Sequence, residues 1–548
     1  MAKHTTQYLR GVLSKHKRGY GFVVLDDREE TGYQDIFIPP DNMGTAMHGD
    51  SVTVMVDPAG CSGQSLEGKI VKVLSRAMTR FVGTFSKRGG YGYVKPENSK
   101  LGEEILIKKK DWNGSCPGDK VMVKITCWPV NGKQAEGKII EIISRKDEAG
   151  GDIKALIRSF QIQDYFPEKV IKEIGSIAQS VVEKDLKCRK DLRGKNIFTL
   201  DGADAKDLDD AVSVERLKNG SFLLGVHIAD VSNYVQEGSL LDREALKRST
   251  SIYLIDRVIP MLPQGISNGI CSLNPNQDRL TLSVFMEIDM EGKVISHDIC
   301  ESVICSKERL VYTDVSDILE LDDKDLKKRY KDILPDLMSM DELADILRKK
   351  RMNRGSLDFD FDEAFITLNK EGIPISVDIA ERRIANRIIE EFMIITNETV
   401  AEHFYHMQLP FIYRIHEKPS VDKIEEFQRF LLSLGIRLKG SPENVHPKTL
   451  NDILSQVAGK ENENVVNTVM LRSMKKAFYG TRCLGHFGLG IEYYCHFTAP
   501  IRRYPDLIIH RVIKETLKGS IYGERLEELK KKTEENLSVE LQQEIMMR

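Results

Sequence analysis

Tryptophan is scarce, at two in 548 residues, and no apolar run approaches the roughly 18 residues that a membrane-crossing helix needs. The opening residues, MAKHTTQYLRG, lack the apolar core of a secretory leader. The nine cysteines form no CxxC pair, and the nearest two are Cys300 and Cys305. A zinc site needs clustered ligands, so that reading is disfavoured and reduced cytosolic thiols are expected. These absences point to a cytoplasmic chain with no membrane partner. What is present, 41% apolar and 30% charged residues, excludes collagen-like, low-complexity and wholly disordered readings.

At this length three or four domains are expected. The net charge of −3 is unevenly spread. Residues 1–145 carry 22 Lys and Arg against 16 Asp and Glu, a surplus of six positive charges, which leaves −9 on the remainder. A basic front end precedes an acidic body.

That front end is a repeat. GVLSKHKRGYGFV (11–23) returns as GTFSKRGGYGYV (83–94), DIFI (35–38) as EILI (104–107), and GDSVTVMV (49–56) as GDKVMVKI (118–125). Finally, EGKIVKVLSR (67–76) returns as EGKIIEIISR (136–145). Four matches in one order imply a duplicated domain. Each copy alternates apolar and polar residues over short runs broken by Gly, Asp and Pro, so about five strands per copy suggest OB-type barrels at 1–76 and 77–145. Each copy also sets aromatics beside basic residues: Lys17, Arg18, Tyr20 and Phe22, then Lys87, Arg88, Tyr91 and Tyr93. Such rings either fill a barrel core or stack on nucleic-acid bases while the cations meet phosphates. Their duplication with the same basic flanks favours stacking, and the pattern resembles the cold-shock domain.

Residues 146–190 are mixed and charged, and read as a connector with helical spacing near 166–184. Strand candidates NIFTL (196–200) and AVSVE (211–215) then flank DGADAKDLDD (201–210). Five of those ten residues are Asp: 201, 204, 207, 209 and 210. Packed carboxylates repel unless cations sit among them, and hard oxygen donors suit Mg²⁺ or Mn²⁺. The spacing does not fit an EF-hand. A solvated acidic loop is the other reading, against which the flanking apolar strands argue. Residues 322–354 read as a solvated helix pair. A helix over 381–402 has Ile384, Ile388, Phe392 and Ile395 as its buried stripe and Glu390 off it. In YYCHFTAPIRRYPDLIIHRVI (493–513), Thr498 is the expected cap and Pro500 falls in the first turn, which places Arg502 and Arg503 near a helix N-terminus. There they form either a phosphate clamp or ion pairs with the acidic body.

Together these segments resemble the RNase II / RNase R family of 3′→5′ exoribonucleases, closest in pattern to the bacterial RNase R branch. The matching stretches are TLDGADAKDLDDAV, VHIADVSNYV, SIYLIDRVIPMLP, RRIANRIIEEFMI, YRIHEKP and HFTAPIRRYPDLIIHR, in family order over more than 300 residues. The resemblance implies a mixed α+β catalytic domain over 191–520, with 521–548 a helix leading toward an S1-type barrel that this chain lacks. It implies that Asp201, Asp207, Asp209 and Asp210 bind Mg²⁺, with Mn²⁺ an alternative, and that Asp209 matters most for turnover. Tyr253 matches the aromatic clamp on the 3′-terminal nucleotides, and Phe359 or Phe361 the ring on the far side of the bases. Glu390 matches a carboxylate near those nucleotides, and Arg502, with Arg503 beside it, the phosphate-binding arginine. Two ions about 3.5–4 Å apart can stabilise the attacking and leaving oxygens of an in-line displacement. Single-stranded RNA would then be cut processively to nucleoside 5′-monophosphates with little sequence preference. A catalytically silent RNA-binding regulator on the same fold is the alternative, as is a cold-shock-type chaperone on an inert scaffold; the intact Asp set and the long motif series argue against them. No coiled-coil seam calls for a partner copy, so a monomer is expected.

Overall fold

The repeated sequence folds as two five-stranded β units, the second of them a closed barrel. The computed structural model describes residues 7–16, 18–26, 35–56, 66–98, 104–129, 134–359, 363–519, 521, 523 and 525–535. It divides into two units, Met1–Asp164 with Thr367–Ser376, and Tyr165–Ile366 with Val377–Arg548. The connector is therefore shared: its helix Gly151–Ser159 belongs to the first unit, and Glu168–Ile174 and Glu183–Leu186 to the second.

In the first unit, β1 (Gln7–Lys15), β2 (Gly21–Leu25), β3 (Ile36–Ile38), β4 (Ser51–Val56) and β5 (Gly68–Ser75) form a sheet in the order β3-β2-β1-β4-β5. A parallel bridge from Phe37 to Glu67 joins β3 to the residues leading into β5. In the second copy, β6 (Arg80–Arg88), β7 (Tyr91–Pro96), β8 (Ile105–Ile107), β9 (Lys120–Cys127) and β10 (Glu136–Ser144) close fully, with β8 parallel to β10. Period-two alternation sends Leu13, Val23, Ile36, Ile38, Val52 and Val54 into one core and Phe85, Val94, Ile105, Ile107, Val121 and Val123 into the other.

The repeat motifs have structural causes. The first glycine of each copy lies where strands crowd: a Cβ on Gly11 would sit 2.2 Å from the Val24 carbonyl oxygen, and one on Gly83 2.5 Å from that of Lys95. The GD and SR pairs form a buried clasp. Asp50 accepts from the Met47 N–H at 2.9 Å, the Ala77 N–H at 3.0 Å and the Arg76 guanidinium at 2.7 Å. Asp119 accepts equivalently from Cys116 at 2.9 Å, Lys146 at 3.1 Å and Arg145 at 2.8 Å. Buried carboxylates persist only when so satisfied.

The second unit is built on a mixed seven-stranded sheet. Its strands are β11 (Lys190–Asp191), β12 (Phe198–Asp201), β13 (Asp210–Arg216) and β14 (Phe222–Ala229), followed by β17 (Asp278–Ile288), β18 (Val294–Cys305) and β19 (Glu308–Val311). The order is β11-β18-β17-β14-β13-β12-β19, and β15 (Ile252–Tyr253) and β16 (Val258–Ile259) make a separate hairpin. Helix Ile384–Met407 contributes Ile388, Phe392 and Ile395 to the main core, with Ile384 half-buried, as the stripe predicts. Helices Val421–Ser433, Pro447–Val457 and Glu463–Ser473 share a smaller core of their own.

Two sequence expectations need correction. The 322–354 region is not simply solvated. Its second helix, Leu334–Arg354, buries Leu337, Met340, Ala344, Leu347 and Arg351, a helical stripe hidden among charges. The helix after HFTAP begins at Tyr504 rather than near Thr498, and Pro505, not Pro500, sits in its first turn. The turn before it spends backbone N–H groups on carboxylates: Ala499 donates to Asp506 and Ile501 to Asp209, both at 2.8 Å. Of the expected C-terminal helix, residues 525–535 are helical and 536–548 lie outside the described residues. No helix among the described residues is long and apolar enough to cross a membrane.

Candidate active site

The acidic run joins two neighbouring strands. β12 ends at Asp201, β13 begins at Asp210, and the two pair antiparallel with Phe198 opposite Val212. The intervening loop is pinned beneath. The buried Leu208 N–H donates to Ser272 Oγ at 3.1 Å, and that hydroxyl donates to the Lys206 carbonyl at 2.8 Å. The Ala229 N–H donates to the Asp209 carbonyl at 2.9 Å. The loop is thereby a fixed platform for its carboxylates.

Asp209 is 4% exposed. Its Oδ1 accepts the Ile501 N–H, while Oδ2 is buried with no hydrogen-bond donor and lies 3.7 Å from Arg502 Nε. Burial drives its carboxyl well above the usual carboxylate range, and Arg502 only partly opposes this. Burial, with Asp201 adding to it, pushes Asp210 up to about 7. Asp201 is likewise raised, by burial first and by Asp207, despite a 2.7 Å bond from the Gly202 N–H.

The neighbouring arginines divide. Arg502 keeps a side chain 46% exposed and faces Asp209. Arg503 closes a fork on buried Asp506, at 2.9 and 2.7 Å, so it is committed to an ion pair. Of the two, Arg502 alone keeps an open guanidinium, while Arg503 ties the turn to Asp506.

Tyr253, 54% exposed, donates its hydroxyl to Asp207 at 3.2 Å. The chain just before its hairpin is tied to the arginine turn. The Ser251 N–H and the Thr250 hydroxyl each donate to the Arg502 carbonyl at 3.0 Å, and the Tyr504 N–H donates to that of Ser249 at 2.8 Å. Aromatic, arginine and carboxylates thus form one neighbourhood.

A second cluster holds the remaining residues. Arg382 bridges Asp358, at 2.9 Å, and Glu390, and Arg348 also binds Asp358 at 2.7 Å. Phe359, next in chain to Asp358, packs partly against the smaller helical core, and Glu390 is half-buried. Phe361 lies outside the described residues.

On the first barrel, Tyr20 lies just before β2 and meets Phe22 edge-on at 5.9 Å, while His16 stacks on Tyr20 at 4.5 Å. On the second, Tyr91 is 54% exposed and Arg88 lies over Tyr93 at 4.6 Å. None of these four aromatics joins a barrel core. Lys17 lies outside the described residues.

Sequence reading missed Arg309, Tyr312 and Asp506. Arg309 grips the loop's carbonyls, and half-buried Tyr312 lies close enough to Asp201 and Asp210 for their charge to add to the effect of burial in raising its hydroxyl's pKa. Asp506 fixes the arginine turn. No sequence signal points to the first two, which the parallel pairing of β12 with β19 brings in, Thr199 opposite Arg309 and Asp201 opposite Val311.

A divalent cation fits this donor set. The donors are all hard carboxylate oxygens, their repulsion is incompletely offset by Arg502, and one buried oxygen of Asp209 has no hydrogen-bond partner. Among the described residues no group of three or more His, Cys, Asp or Glu side chains is arranged to hold a metal ion. Mg²⁺ itself keeps several waters and takes one or two carboxylates plus substrate phosphates.

Comparison with known proteins agrees with this geometry. The RNB domain profile matches residues 189–519, the ribonuclease B OB domain residues 11–73, and the cold shock domain residues 93–167. The chain belongs to the RNB family of 3′→5′ exoribonucleases. Within that family it is similar to ribonuclease R. It is 44% identical to the Thermotoga maritima protein over 516 residues, which cover 93% of this chain and 71% of that one. It is 40% identical to ribonuclease R 1 of Lactococcus lactis, of which it spans 63%. Apo Mycoplasma genitalium RNase R superposes with a TM-score of 0.89 at 25% identity, covering 98% of this chain and 84% of that one. The same M. genitalium protein has been solved with double-stranded RNA and matches at a TM-score of 0.81 and 25% identity.

Proposed function

We propose that this exoribonuclease removes nucleoside 5′-monophosphates processively from the 3′ end of single-stranded RNA, with Mg²⁺ held by Asp201, Asp207, Asp209 and Asp210. The observation that carries the reading is the buried Oδ2 of Asp209, which has no hydrogen-bond donor, feels the charges of Asp210 and Asp207 and faces Arg502. When bound, two such ions supply Lewis-acid stabilisation of the attacking and departing oxygens of an in-line displacement. Mn²⁺ offers the same donor preferences.

The chain's own residues do the rest. Tyr253 offers a half-exposed ring on which a terminal base stacks, and stacking tolerates every base. Its bond to Asp207 ties that ring to the acidic loop, so the last nucleotide is placed relative to the reacting phosphate. The Arg502 guanidinium offsets charge as it builds on the phosphate oxygens. Arg503 and Asp506 hold the turn that aims Arg502. Glu390, with Arg382 and Asp358, orders the Phe359 segment as the second stacking wall. Tyr20, Phe22, Tyr91 and Tyr93, flanked by basic residues, gather the single strand at the barrels.

Product identity tests the proposal. Uniformly labelled single-stranded RNA incubated with Mg²⁺ should yield nucleoside 5′-monophosphates from the earliest times, with no activity in chelator. Nucleoside 3′-phosphates, internal fragments, or undiminished activity in chelator would contradict it.

A further inference from the structure

Arg309 sits on β19 beside the strand that ends at Asp201. Its Nη2 lies 3.1 Å from the Gly202 carbonyl oxygen and 2.7 Å from those of Ala203 and Ala205. One guanidinium nitrogen thus meets three carbonyls of the segment between the first two candidate metal carboxylates. A terminal NH₂ has two hydrogens, so at least one bond is shared. Among the described residues Arg309 makes no ion pair, and its Nε is buried without a hydrogen-bond partner. Keeping a half-buried cation without a carboxylate partner, and with a buried donor unused, costs free energy. A purely structural tie could have used a neutral donor. A positive charge here does two further things. It draws the carbonyl dipoles of residues 202–205 inward, and it offsets part of the charge on Asp201, where it acts alongside Arg502.

We infer that Arg309 is a positioning residue that holds the acidic loop assembled for cation binding. This rests on the metal reading above. Outer partners of metal ligands orient them, and losing one typically costs about 10–100-fold in metal affinity. Replacing Arg309 should therefore weaken cation binding and loosen the loop, while leaving RNA capture intact.

The test measures Mn²⁺ binding by electron paramagnetic resonance and amide hydrogen exchange at 202–206, for wild type, Arg309→Met, Arg309→Lys and Asp209→Asn. RNA affinity is measured in chelator. Arg309→Met should lose about tenfold or more in Mn²⁺ affinity and exchange its loop amides faster, at unchanged RNA affinity. Arg309→Lys, whose ammonium can serve three carbonyls, should recover most of the loss. Mn²⁺ affinity and loop exchange at wild-type levels in Arg309→Met would overturn the inference. If that variant does not fold, Arg309→Gln replaces it, and wild-type Mn²⁺ affinity there would overturn the role of charge. If wild type takes up no more Mn²⁺ than Asp209→Asn, the metal reading fails and this inference fails with it.

Discussion

Asp209 and Arg502 face each other without closing a hydrogen bond: Nε stands 3.7 Å from Oδ2, and the other carboxylate oxygen is taken by the Ile501 N–H at 2.8 Å. The arginine lies on the same turn as its backbone donor, so turn and carboxylate are locked while the guanidinium keeps 46% of its side chain open. An arginine spent on its neighbour could not serve a phosphate. Arg503, one residue on, is spent in that way on Asp506.

This division predicts different phenotypes for the two arginines. Arg502→Lys should lower kcat by about 10²–10³-fold, the usual cost of removing one donor to developing charge. Its RNA affinity should change little, because many phosphate contacts share binding. Arg503→Lys should instead lower the melting temperature, since a bidentate buried fork is not replaced by an ammonium. Single-turnover kinetics beside thermal melts would separate them. Equal kinetic loss without destabilisation in both would contradict the assignment.

Asp210 links chemistry to stability. Its folded pKa is near 7, raised by burial and by Asp201, against about 3.9 unfolded. Below the unfolded value both states are protonated and no penalty exists. As pH rises the unfolded chain ionises first, so stability falls through the window and the full penalty stands above pH 7. Asp210→Asn escapes this. In chelator its melting temperature should exceed that of wild type by a margin that opens between about pH 4 and 7 and then levels off. A margin independent of pH would refute the account. The same variant should be inactive, as expected where a site gives up stability for function.

The opposite sign holds at Asp230. Burial alone would raise its carboxyl, but Lys514 and Arg189 outweigh it and hold the group below the usual carboxylate range. Lys514 Nζ lies 2.8 Å and Arg189 Nη2 2.5 Å from Oδ2, with Asp230 fully buried. This stability is present above the unfolded pKa and is lost as pH falls below it. Lys514→Met should cost about 3–5 kcal/mol at neutral pH, because it leaves a buried charge short of a partner. Chemical denaturation would read this directly, and a loss below 1 kcal/mol would count against it.

On the proposed reading Tyr253 provides one stacking surface, worth about 1–3 kcal/mol per base. Long RNAs keep their other contacts, but short ones do not. Tyr253→Ala should therefore release intermediates early and end on longer limit products, with the initial rate on long RNA less affected. An unchanged limit product in a gel time course would show that this ring does not clamp the terminus.

Much of this was legible in the sequence, for physical reasons. The repeat was readable because strand alternation and the GD and SR clasp are local patterns that recur. The acidic run was readable as one loop because it lies between two apolar strands, which the structure pairs as β12 and β13. Other features depend on pairings made only in three dimensions. Arg309 reaches the loop because β19 runs beside β12, which no local spacing reveals. Thr498 and Pro500 looked like a helix start, yet Asp506 and Asp209 capture the turn's N–H groups and delay the helix to Tyr504. Arg502 and Arg503 are indistinguishable as letters and differ only in which carboxylate each meets. The stripe Leu337, Met340, Ala344 and Leu347 was masked by the charges around it.

The most direct test follows 5′-labelled single-stranded RNA with Mg²⁺, comparing wild type with Asp209→Asn and measuring RNA binding separately. Wild type should shorten the RNA progressively to a short limit oligomer, and Asp209→Asn should bind it without shortening it. Degradation by Asp209→Asn at the wild-type rate, or a wild type that binds RNA and never shortens it, would contradict the assignment of the chemistry to this acidic loop.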